Sequence, residues 1–339
     1  MRLALILALL LLAPSALAAV DTKAIDCPVD RTEVSVTVLM SSNALLGHDR
    51  DLCPHASDSP SEEIANSVSG CSTCGFAGTP GEFQAEIPES IAAKVKSSLK
   101  VATTPWERYA NRAQIQEWAK APEASIGESW LRAAWSVRLE ERASGDPAIA
   151  DATKRLLAGA PAGTQSKPAG AQSGDDVIAG DPILDPARAL DLAEASATGA
   201  DRAAGFYAAG ALFRARGELA QAESRYVTAL AAAAGTPLES SIKGVVDRDR
   251  ESIALEKSYL GRALAHFKLA LAAKSTLAER KPLLAFLAAE CARRTGTNEE
   301  AAKLYRQAQS ANNPDAQRTK LVEQGLAEVG AKSPKKKAK

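Results

Sequence analysis

Residues 217–229 read GELAQAESRYVTA, and residues 296–308 read GTNEEAAKLYRQA. Both stretches begin with glycine and carry alanine, tyrosine and alanine at their sixth, tenth and thirteenth positions, and the second follows the first at a constant offset of 79 residues. Glycine lets the chain turn tightly between two helices. Small alanines let helices approach closely, and an aromatic ring fills the space between neighbouring hairpins. The two stretches therefore predict a repeated helical hairpin.

The order glycine, alanine, aromatic, alanine resembles the tetratricopeptide pattern, in which the glycine ends helix A of a hairpin and the other residues follow along helix B. Gly210 and Phe213 occupy earlier positions of the first copy. A stable stack needs at least about three units, so the amphipathic segment 253–274 is predicted to form an intervening, degenerate unit. Residues 185–330 are thus predicted to be a tetratricopeptide-like helical region.

The N-terminus has the pattern of an export signal. Arg2 precedes an unbroken apolar run at residues 3–12, and Ala16-Leu17-Ala18 fits the small-residue cleavage pattern of a signal peptide. The apolar run is too short to cross a hydrocarbon core of about 30 Å. Residues 1–19 are therefore predicted to be a signal peptide, and the mature protein is expected to be periplasmic or secreted, with no transmembrane segment after cleavage.

Residues 20–86 differ from the helical region, because they contain four of the five cysteines and are punctuated by Gly and Pro. Val34, Val36 and Val38 alternate with polar residues, and this period of two favours a half-buried strand. We interpret this region as a small cysteine-rich, zinc-ribbon-like module that contains β structure.

Residues 87–158 change to a helical pattern and are rich in tryptophan. All four tryptophans of the chain lie here: Trp106, Trp118, Trp130 and Trp135. Because tryptophan buries a large area, we expect them to fasten the helices to the cysteine-rich module. Residues 159–184 are rich in Gly, Ala, Ser and Pro and are predicted to be a flexible linker. The predicted fold is mainly α, an array of helical hairpins with a small N-terminal β-containing module.

The cysteines supply a candidate metal site. Cys71-Ser72-Thr73-Cys74-Gly75 is a C-x-x-C-G turn that can direct two thiolates at one ion. Zinc takes four ligands in a tetrahedral array, and a site of this kind would be structural, with no open position for catalysis. The predicted zinc ligands are Cys27, Cys53, Cys71 and Cys74. The residues that could substitute for a missing ligand are Asp30, His48 and His55.

Disulfides are an alternative use of the same cysteines, because an exported protein meets an oxidising environment. Four cysteines allow three connectivities, and Cys27–Cys53 or Cys27–Cys74 is more plausible than a strained Cys71–Cys74 bridge. A thioredoxin-like motif is disfavoured, since the residues after Gly75 do not begin a helix. Cys291 lies among alanines and is interpreted as a small buried hydrophobe.

The cysteine segments resemble those of the bacterial domain of unknown function 2225. The resemblance is carried by Cys27-Pro28-Val29, by the segment 48–54 (HDRDLCP), by the segment 71–77 (CSTCGFA) and by the tryptophan-rich stretch 130–135 (WLRAAW). It implies a cysteine knuckle module followed by a helical region that leads into a tetratricopeptide-like hairpin, and it brings no established activity. Asp30 stands where that family carries the second cysteine of its first knuckle.

No catalytic pattern is apparent in the sequence. The three histidines, His48, His55 and His266, do not stand in an acid–base or nucleophile motif, and no phosphate-binding loop or zinc-protease motif occurs. His48 and His55 lie with Asp49 and Asp51 in a polar segment that could bind a metal through oxygen and nitrogen, although capping of turns is the favoured reading. We therefore expect a protein that is not an enzyme.

The charge balance bears on the partner. Formal net charge is +0, so no global field attracts nucleic acid or an anionic membrane, and the basic residues 331–339 are interpreted as a solvated tail. The predicted function is an exported protein–protein interaction scaffold that holds a protein or peptide of the cell envelope. The alternative is a periplasmic thiol-redox or metal-handling protein that uses Cys71 and Cys74. Candidate packing or contact residues in the array are Phe213, Arg214, Arg216, Tyr226 and Tyr305.

Overall fold

The computed structural model describes residues 20–39, 51–53, 64, 67–141, 147–158, 186–196, 198–215, 217–310 and 316–330. This part of the chain forms twelve α-helices and two small antiparallel sheets of two strands each. The prediction of a mainly α fold with a small β-containing N-terminal module is confirmed. Among the described helices, none combines the length and the apolar character that a membrane span requires. The predicted signal peptide, linker and basic tail lie outside the described residues, as do His48, His55 and Arg216.

Two short hairpins build the N-terminal module. Strand β1 (Val20–Asp26) pairs with β2 (Glu33–Leu39), and β3 (Ser69–Gly70) pairs with β4 (Ala77–Gly78). The predicted alternation holds in β2, where Val34 and Val36 are buried and Ser35 between them is exposed. Their buried face lies against the side chains around the cysteines, so the hairpin and the cysteine turns share one small core.

Four helices follow the two hairpins, and two of them begin at a proline that comes directly after a capping threonine. Thr79 and Thr104 each cap a helix whose first residue is proline, and each takes part in a capping box with a glutamate three residues later. The helices are α1 (Pro80–Gln84), α2 (Glu89–Ser98), α3 (Pro105–Trp118) and α4 (Glu123–Glu141). Trp118 packs against the core that contains the cysteines, and Trp135 donates a hydrogen bond from Nε1 to Asp51 Oδ2 at 3.0 Å. These two tryptophans thus contact the cysteine-rich region, as the sequence predicts.

The remaining eight helices form the C-terminal part. They are α5 (Pro147–Ala158), α6 (Pro186–Ala195), α7 (Gly199–Ala215), α8 (Leu219–Ala233), α9 (Glu239–Ala272), α10 (Lys281–Arg294), α11 (Asn298–Ser310) and α12 (Ala316–Glu328). A short 3₁₀ turn, Ala278–Arg280, precedes α10.

The two sequence repeats form the hairpins α7–α8 and α10–α11. Each hairpin turns at a glycine with positive φ, 76° at Gly217 and 85° at Gly296. Helix B begins two residues after the glycine in both copies, and its alanines and tyrosine are buried in both. Tyr226 stacks on Tyr207 with ring centroids 5.6 Å apart, and in the second copy the ring of Tyr305 lies 6.3 Å from that of Phe286. The same local sequence therefore builds the same local packing twice.

The two copies of the repeat also share an ion pair that the glycine–alanine–tyrosine–alanine pattern does not include. Arg214 Nη1 lies 3.5 Å from Asp249 Oδ1, and Arg293 Nη1 lies 3.5 Å from Glu328 Oε2. Both pairs join the last turn of helix A to the helix that follows the hairpin, and their members are separated by the same 79-residue offset. The repeating unit thus includes a third helix, α9 after the first hairpin and α12 after the second.

The segment 253–274 does not form a separate hairpin unit, contrary to the expectation. It is the C-terminal half of α9, a single helix of 34 residues. The N-terminal half of α9 packs with α7 and α8 through residues such as Ile242 and Val246, and its C-terminal half packs with α4 and α10 through residues such as Leu264 and Phe267. A buried face runs along the whole of α9, and no proline interrupts the helix, so α9 contributes to both cores.

Four buried charges join the module to the array. Arg138 Nη2 on α4 lies 2.7 Å from Asp51 Oδ2, and Arg294 Nη1 on α10 lies 2.8 Å from Glu256 Oε1 on α9. Cross pairs at 3.3 Å link Arg138 Nε to Glu256 Oε1 and Arg294 Nε to Asp51 Oδ2. Burial opposes the ionisation of Asp51, but the two guanidinium groups outweigh it and hold the pKa of Asp51 well below its usual value. We call Asp51, Arg138, Glu256 and Arg294 the charge cluster.

The repeat glycines give a matched pair of tests. At Gly217 a Cβ atom would lie 2.3 Å from Cζ of Arg294, whereas at Gly296 it would meet nothing within 4 Å. Both positions have positive φ, so alanine costs about 1 kcal/mol of strain at either site. Gly217→Ala must also displace a guanidinium that belongs to the charge cluster. We therefore expect Gly217→Ala to lower the free energy of unfolding by at least about 3 kcal/mol and Gly296→Ala by about 1 kcal/mol, measured by urea denaturation. Equal losses for the two variants would contradict the close contact.

Removal of one member of the charge cluster leaves its partners charged and buried. We expect Asp51→Ala to lower the free energy of unfolding by about 3–5 kcal/mol at pH 7. The control is Asp247→Ala, which removes an exposed partner of Lys243 on α9 and is expected to change stability by less than about 1 kcal/mol.

The pH dependence of stability provides a second measurement on Asp51→Ala. Because the pKa of Asp51 is lowered on folding, its contribution to stability is present at neutral pH and is lost as the pH falls below the ordinary aspartate value of 3.8. The stability difference between the wild type and Asp51→Ala should therefore shrink at acidic pH. A difference that stays constant from pH 7 to pH 3 would show that Asp51 acts through packing alone.

Candidate metal centre

Two backbone turns direct the candidate ligands towards one point. The first connects β1 to β2, where Arg31 N donates to Cys27 O at 2.9 Å and Cys27 N donates to Thr32 O at 2.8 Å. Arg31 has a φ of 65°, which turns the chain back on itself. Asp30 Oδ1 accepts a hydrogen bond from Thr32 N at 3.1 Å, so the turn also fixes the carboxylate.

The second turn lies between β3 and β4 and contains the C-x-x-C-G motif. Cys71 N donates to Phe76 O at 2.7 Å, and the backbone N–H groups of Thr73 and Phe76 point at Cys71 Sγ and Cys74 Sγ, at 3.4 and 3.5 Å. Gly75 has a φ of 79°, and a Cβ there would lie 2.5 Å from Lys100 O. Only glycine fits at this position, which explains the glycine that follows the second cysteine.

The two turns bring four ligand atoms together. The thiols of Cys27, Cys71 and Cys74 and a carboxylate oxygen of Asp30 all lie within 4.8 Å of one another. Cys27 Sγ is 3.6 Å from Cys74 Sγ, and Cys71 Sγ is 3.7 Å from both carboxylate oxygens of Asp30. The three cysteines are buried and Asp30 is half-buried. This group of four is named the Cys3Asp cluster.

One predicted ligand does not belong to the Cys3Asp cluster. Cys53 is buried in the core formed by α3, α4 and the array helices, apart from the core that holds the other three cysteines. Its position follows from Asp51, two residues earlier, which the charge cluster holds against α4 and α10. Asp30, predicted as a substitute, takes the fourth position. The sequence already indicates Asp30 as a ligand, because Cys27 and Asp30 have the same spacing as Cys71 and Cys74.

Burial changes the acidity of the side chains in the Cys3Asp cluster. Burial raises the pKa of Cys27 to about 11 and raises that of Cys74 above its usual range. Burial also disfavours the charged form of Asp30, but hydrogen bonds from Thr32 and the neighbouring thiols outweigh it and lower the pKa of Asp30. The thiols of Cys27 and Cys74 therefore stay protonated unless a positive charge enters. A divalent ion supplies that charge and displaces the thiol protons.

The chemistry of this donor set fits zinc. Three soft thiolates and one carboxylate are ligand types that zinc accepts, and four ligands complete its tetrahedral shell. No disulfide links any of the five cysteines, all of which lie in described residues. The Cys27–Cys74 pair, one of the two predicted bridges, is in contact without a bond, whereas Cys27 and Cys53 lie in separate cores.

His266 belongs to a different polar group. Its Nδ1 lies 2.6 Å from Glu123 Oε2 and its Nε2 lies 3.1 Å from Glu117 Oε1, so both ring nitrogens are engaged by carboxylates. Glu117 also accepts a hydrogen bond from Trp130 Nε1 at 2.9 Å. This group joins α3, α4 and α9, in agreement with a position at the edge of the core. Sequence reasoning missed the two glutamates because they lie about 140 to 150 residues from His266.

Comparison of the chain with protein-family models, with curated protein sequences and with solved structures returned no match. The resemblance to the domain of unknown function 2225 therefore rests on the cysteine and tryptophan motifs alone.

The sequence predicts Cys53 as the fourth zinc ligand, whereas the structure places Asp30 beside the other three cysteines. The zinc affinities of variants at these two positions distinguish the two ligand sets. We expect Asp30→Ala to weaken zinc binding by at least about 100-fold, since loss of a direct ligand should exceed the 10- to 100-fold cost of losing a partner that only orients one. Cys53→Ala should leave zinc affinity within about 3-fold of the wild type, because Cys53 lies outside the cluster. Competition with a chromophoric chelator under reducing conditions measures both. A larger effect from Cys53→Ala than from Asp30→Ala would restore the four-cysteine site.

Proposed function

We propose that this protein is an exported, non-catalytic protein–protein interaction scaffold whose cysteine-rich module, residues 20–86, is held by one structural zinc ion. The Cys3Asp cluster is the observation that carries this proposal. Catalytic zinc sites keep three protein ligands and an open position for water or substrate, whereas structural sites are closed by four protein ligands. The Cys3Asp cluster supplies four, and its three thiols are buried.

The buried charges support a structural role as well. Arg138, Glu256 and Arg294 pair with one another and with Asp51 across three helices and the module. Arg293 on α10 likewise pairs with Glu328 on α12 at 3.5 Å. Each of these ion pairs connects packed elements, which is the arrangement expected of groups that fix the positions of helices.

The helical region supports the interaction role. Repeated hairpins build extended surfaces that bind proteins and peptides. Among the described side chains of this region, three large apolar ones are exposed: Val227 on α8 is 54% exposed, Leu269 on α9 is 54% exposed and Leu277 before α10 is 59% exposed. Zero formal net charge argues against nucleic acid as the partner. The partner class we propose is a protein or peptide of the cell envelope.

The compartment is proposed from the sequence. The charged residue, the apolar run and the small-residue site of residues 1–19 are typical of a signal peptide. We propose a periplasmic or secreted location for the mature protein.

Photo-cross-linking in cells tests the scaffold role. A photoreactive amino acid is placed at Val227 or Leu269, and a matched control is placed at Lys303, a polar position whose side chain is 71% exposed. We expect a discrete cross-linked product in the envelope fraction from at least one apolar position, because partner surfaces bury exposed apolar side chains. The control should give none.

Two observations together would contradict the scaffold role. Absence of a product from both apolar positions, together with rapid alkylation of Cys71 and Cys74 in the zinc-loaded protein, would favour the thiol-redox or metal-handling alternative. Rapid alkylation would show that the thiolates exchange readily and do not form a closed structural site.

A further inference from the structure

The three thiols of the Cys3Asp cluster are not equivalent. Cys71 Sγ faces the Asp30 carboxylate and accepts the Thr73 N–H, whereas Cys27 Sγ and Cys74 Sγ face each other at 3.6 Å. Cys74 is 9% exposed, against 0% for Cys27 and 1% for Cys71. Cys74 is therefore the most accessible of the three thiols, and its Sγ is in contact with Cys27 Sγ.

The backbone also distinguishes Cys27–Cys74 from Cys71–Cys74. Cys27 and Cys74 lie on two separate turns, one in each hairpin of the module, and each turn contains a residue with positive φ, Arg31 or Gly75. A bond between them joins the two hairpins across a separation of 47 residues. Cys71 and Cys74 share one tight turn, where a bridge would be strained.

We propose that Cys27 and Cys74 form a redox switch that closes as a disulfide and empties the zinc site. This inference rests on the proposed zinc site, because it describes the regulation of that site. The oxidant is a disulfide, such as a small-molecule disulfide of the oxidised-glutathione class. An exported protein meets such oxidants, whereas a cytosolic protein is kept reduced.

The reaction is a thiol–disulfide exchange in two steps. Cys74 is held as a thiolate when zinc is bound. This thiolate attacks one sulfur of the oxidant, the oxidant's S–S bond breaks, a mixed disulfide forms at Cys74, and one thiolate leaves from the oxidant. The Cys27 thiolate then attacks Cys74 Sγ, the mixed disulfide breaks and the second thiolate leaves. Two electrons pass from the cysteine pair to the oxidant, which is reduced to two thiols once its thiolates take up two protons.

The consequence for metal binding follows from the number of ligands. Cys27 and Cys74 are two of the four donors, so the disulfide leaves only Cys71 and Asp30 for the ion. Two ligands do not complete the tetrahedral shell that zinc takes in structural sites. The module therefore has two mutually exclusive cross-links between the same two turns, a metal ion when reduced and a disulfide when oxidised.

The experiment uses the full mature chain, loaded with zinc under reducing conditions and freed of reductant. Native mass spectrometry first establishes the bound zinc. Oxidised glutathione is then added, zinc release is followed with a metal-sensitive dye, and peptide mapping identifies the disulfide. We expect one zinc ion released for each Cys27–Cys74 disulfide, with the chain losing two hydrogens in mass.

Two variants separate this pair from the adjacent cysteines. Cys71→Ser keeps Cys27 and Cys74, so it should form their disulfide at a rate within about 3-fold of that of the metal-free wild type. Cys74→Ser should form no disulfide within the module. Circular dichroism serves as the control. Both variants should keep the helical signal of the wild type, so that any difference in disulfide formation comes from the module alone.

Each contrary result has one meaning. Zinc that is retained after oxidation, or a mapped Cys71–Cys74 or Cys27–Cys71 disulfide, overturns the redox switch and leaves the structural zinc site in place. A reduced chain that binds no zinc overturns the proposed zinc site and, with it, the switch.

Discussion

The structure depends on the pairing of four charges in its interior. Asp51, Arg138, Glu256 and Arg294 come from the module and from three helices, and together they carry no net charge. Removal of such groups from water costs several kcal/mol per ion, and that cost is offset only when all partners are in place. The charge cluster therefore specifies one arrangement of α4, α9 and α10 and disfavours alternatives that slide one helix past another. The apolar cores, rich in alanine, would tolerate such slippage more readily.

The same cluster links the two repeats. Arg294 ends helix A of the second hairpin, and its guanidinium lies against Gly217, the turn glycine of the first. Gly217 thus has two roles, the positive φ that the turn requires and the space that the guanidinium occupies, whereas Gly296 has only the first. Helix α9 runs past both hairpins and contributes to both cores. Together these contacts explain how α9 alone can hold the hairpins α7–α8 and α10–α11 together, with no third hairpin between them.

The features that the sequence predicted are those set by neighbours along the chain. The turn glycines, the buried repeat tyrosines and the alternation around Val36 each follow from residues a few positions apart. The features that it missed join distant residues. Asp51 pairs with Arg138 across 87 positions, and its segment was interpreted as a polar loop because nothing local indicates that pairing. The position of Cys53 depends on the same contact, so this predicted ligand lies outside the Cys3Asp cluster. The continuity of α9 was missed because its two halves pack in different cores.

The C-x-x-C turn is coupled to the helices through α3, so its position and that of the helices depend on each other. Asn111 Nδ2 donates to Gly75 O and to Lys100 O, both at 2.9 Å, and so holds the residue after the C-x-x-C turn. The next residue, Arg112, donates to both carboxylate oxygens of Glu82, which takes part in the capping box of α1 directly after β4. A bidentate pair of this kind fixes orientation as well as distance. The turn that positions Cys71 and Cys74 therefore cannot rotate without disturbing α3, and α3 packs on α4, which carries Arg138 of the charge cluster. An ion that fixes the two cysteine turns would in this way also fix how the module sits on the array.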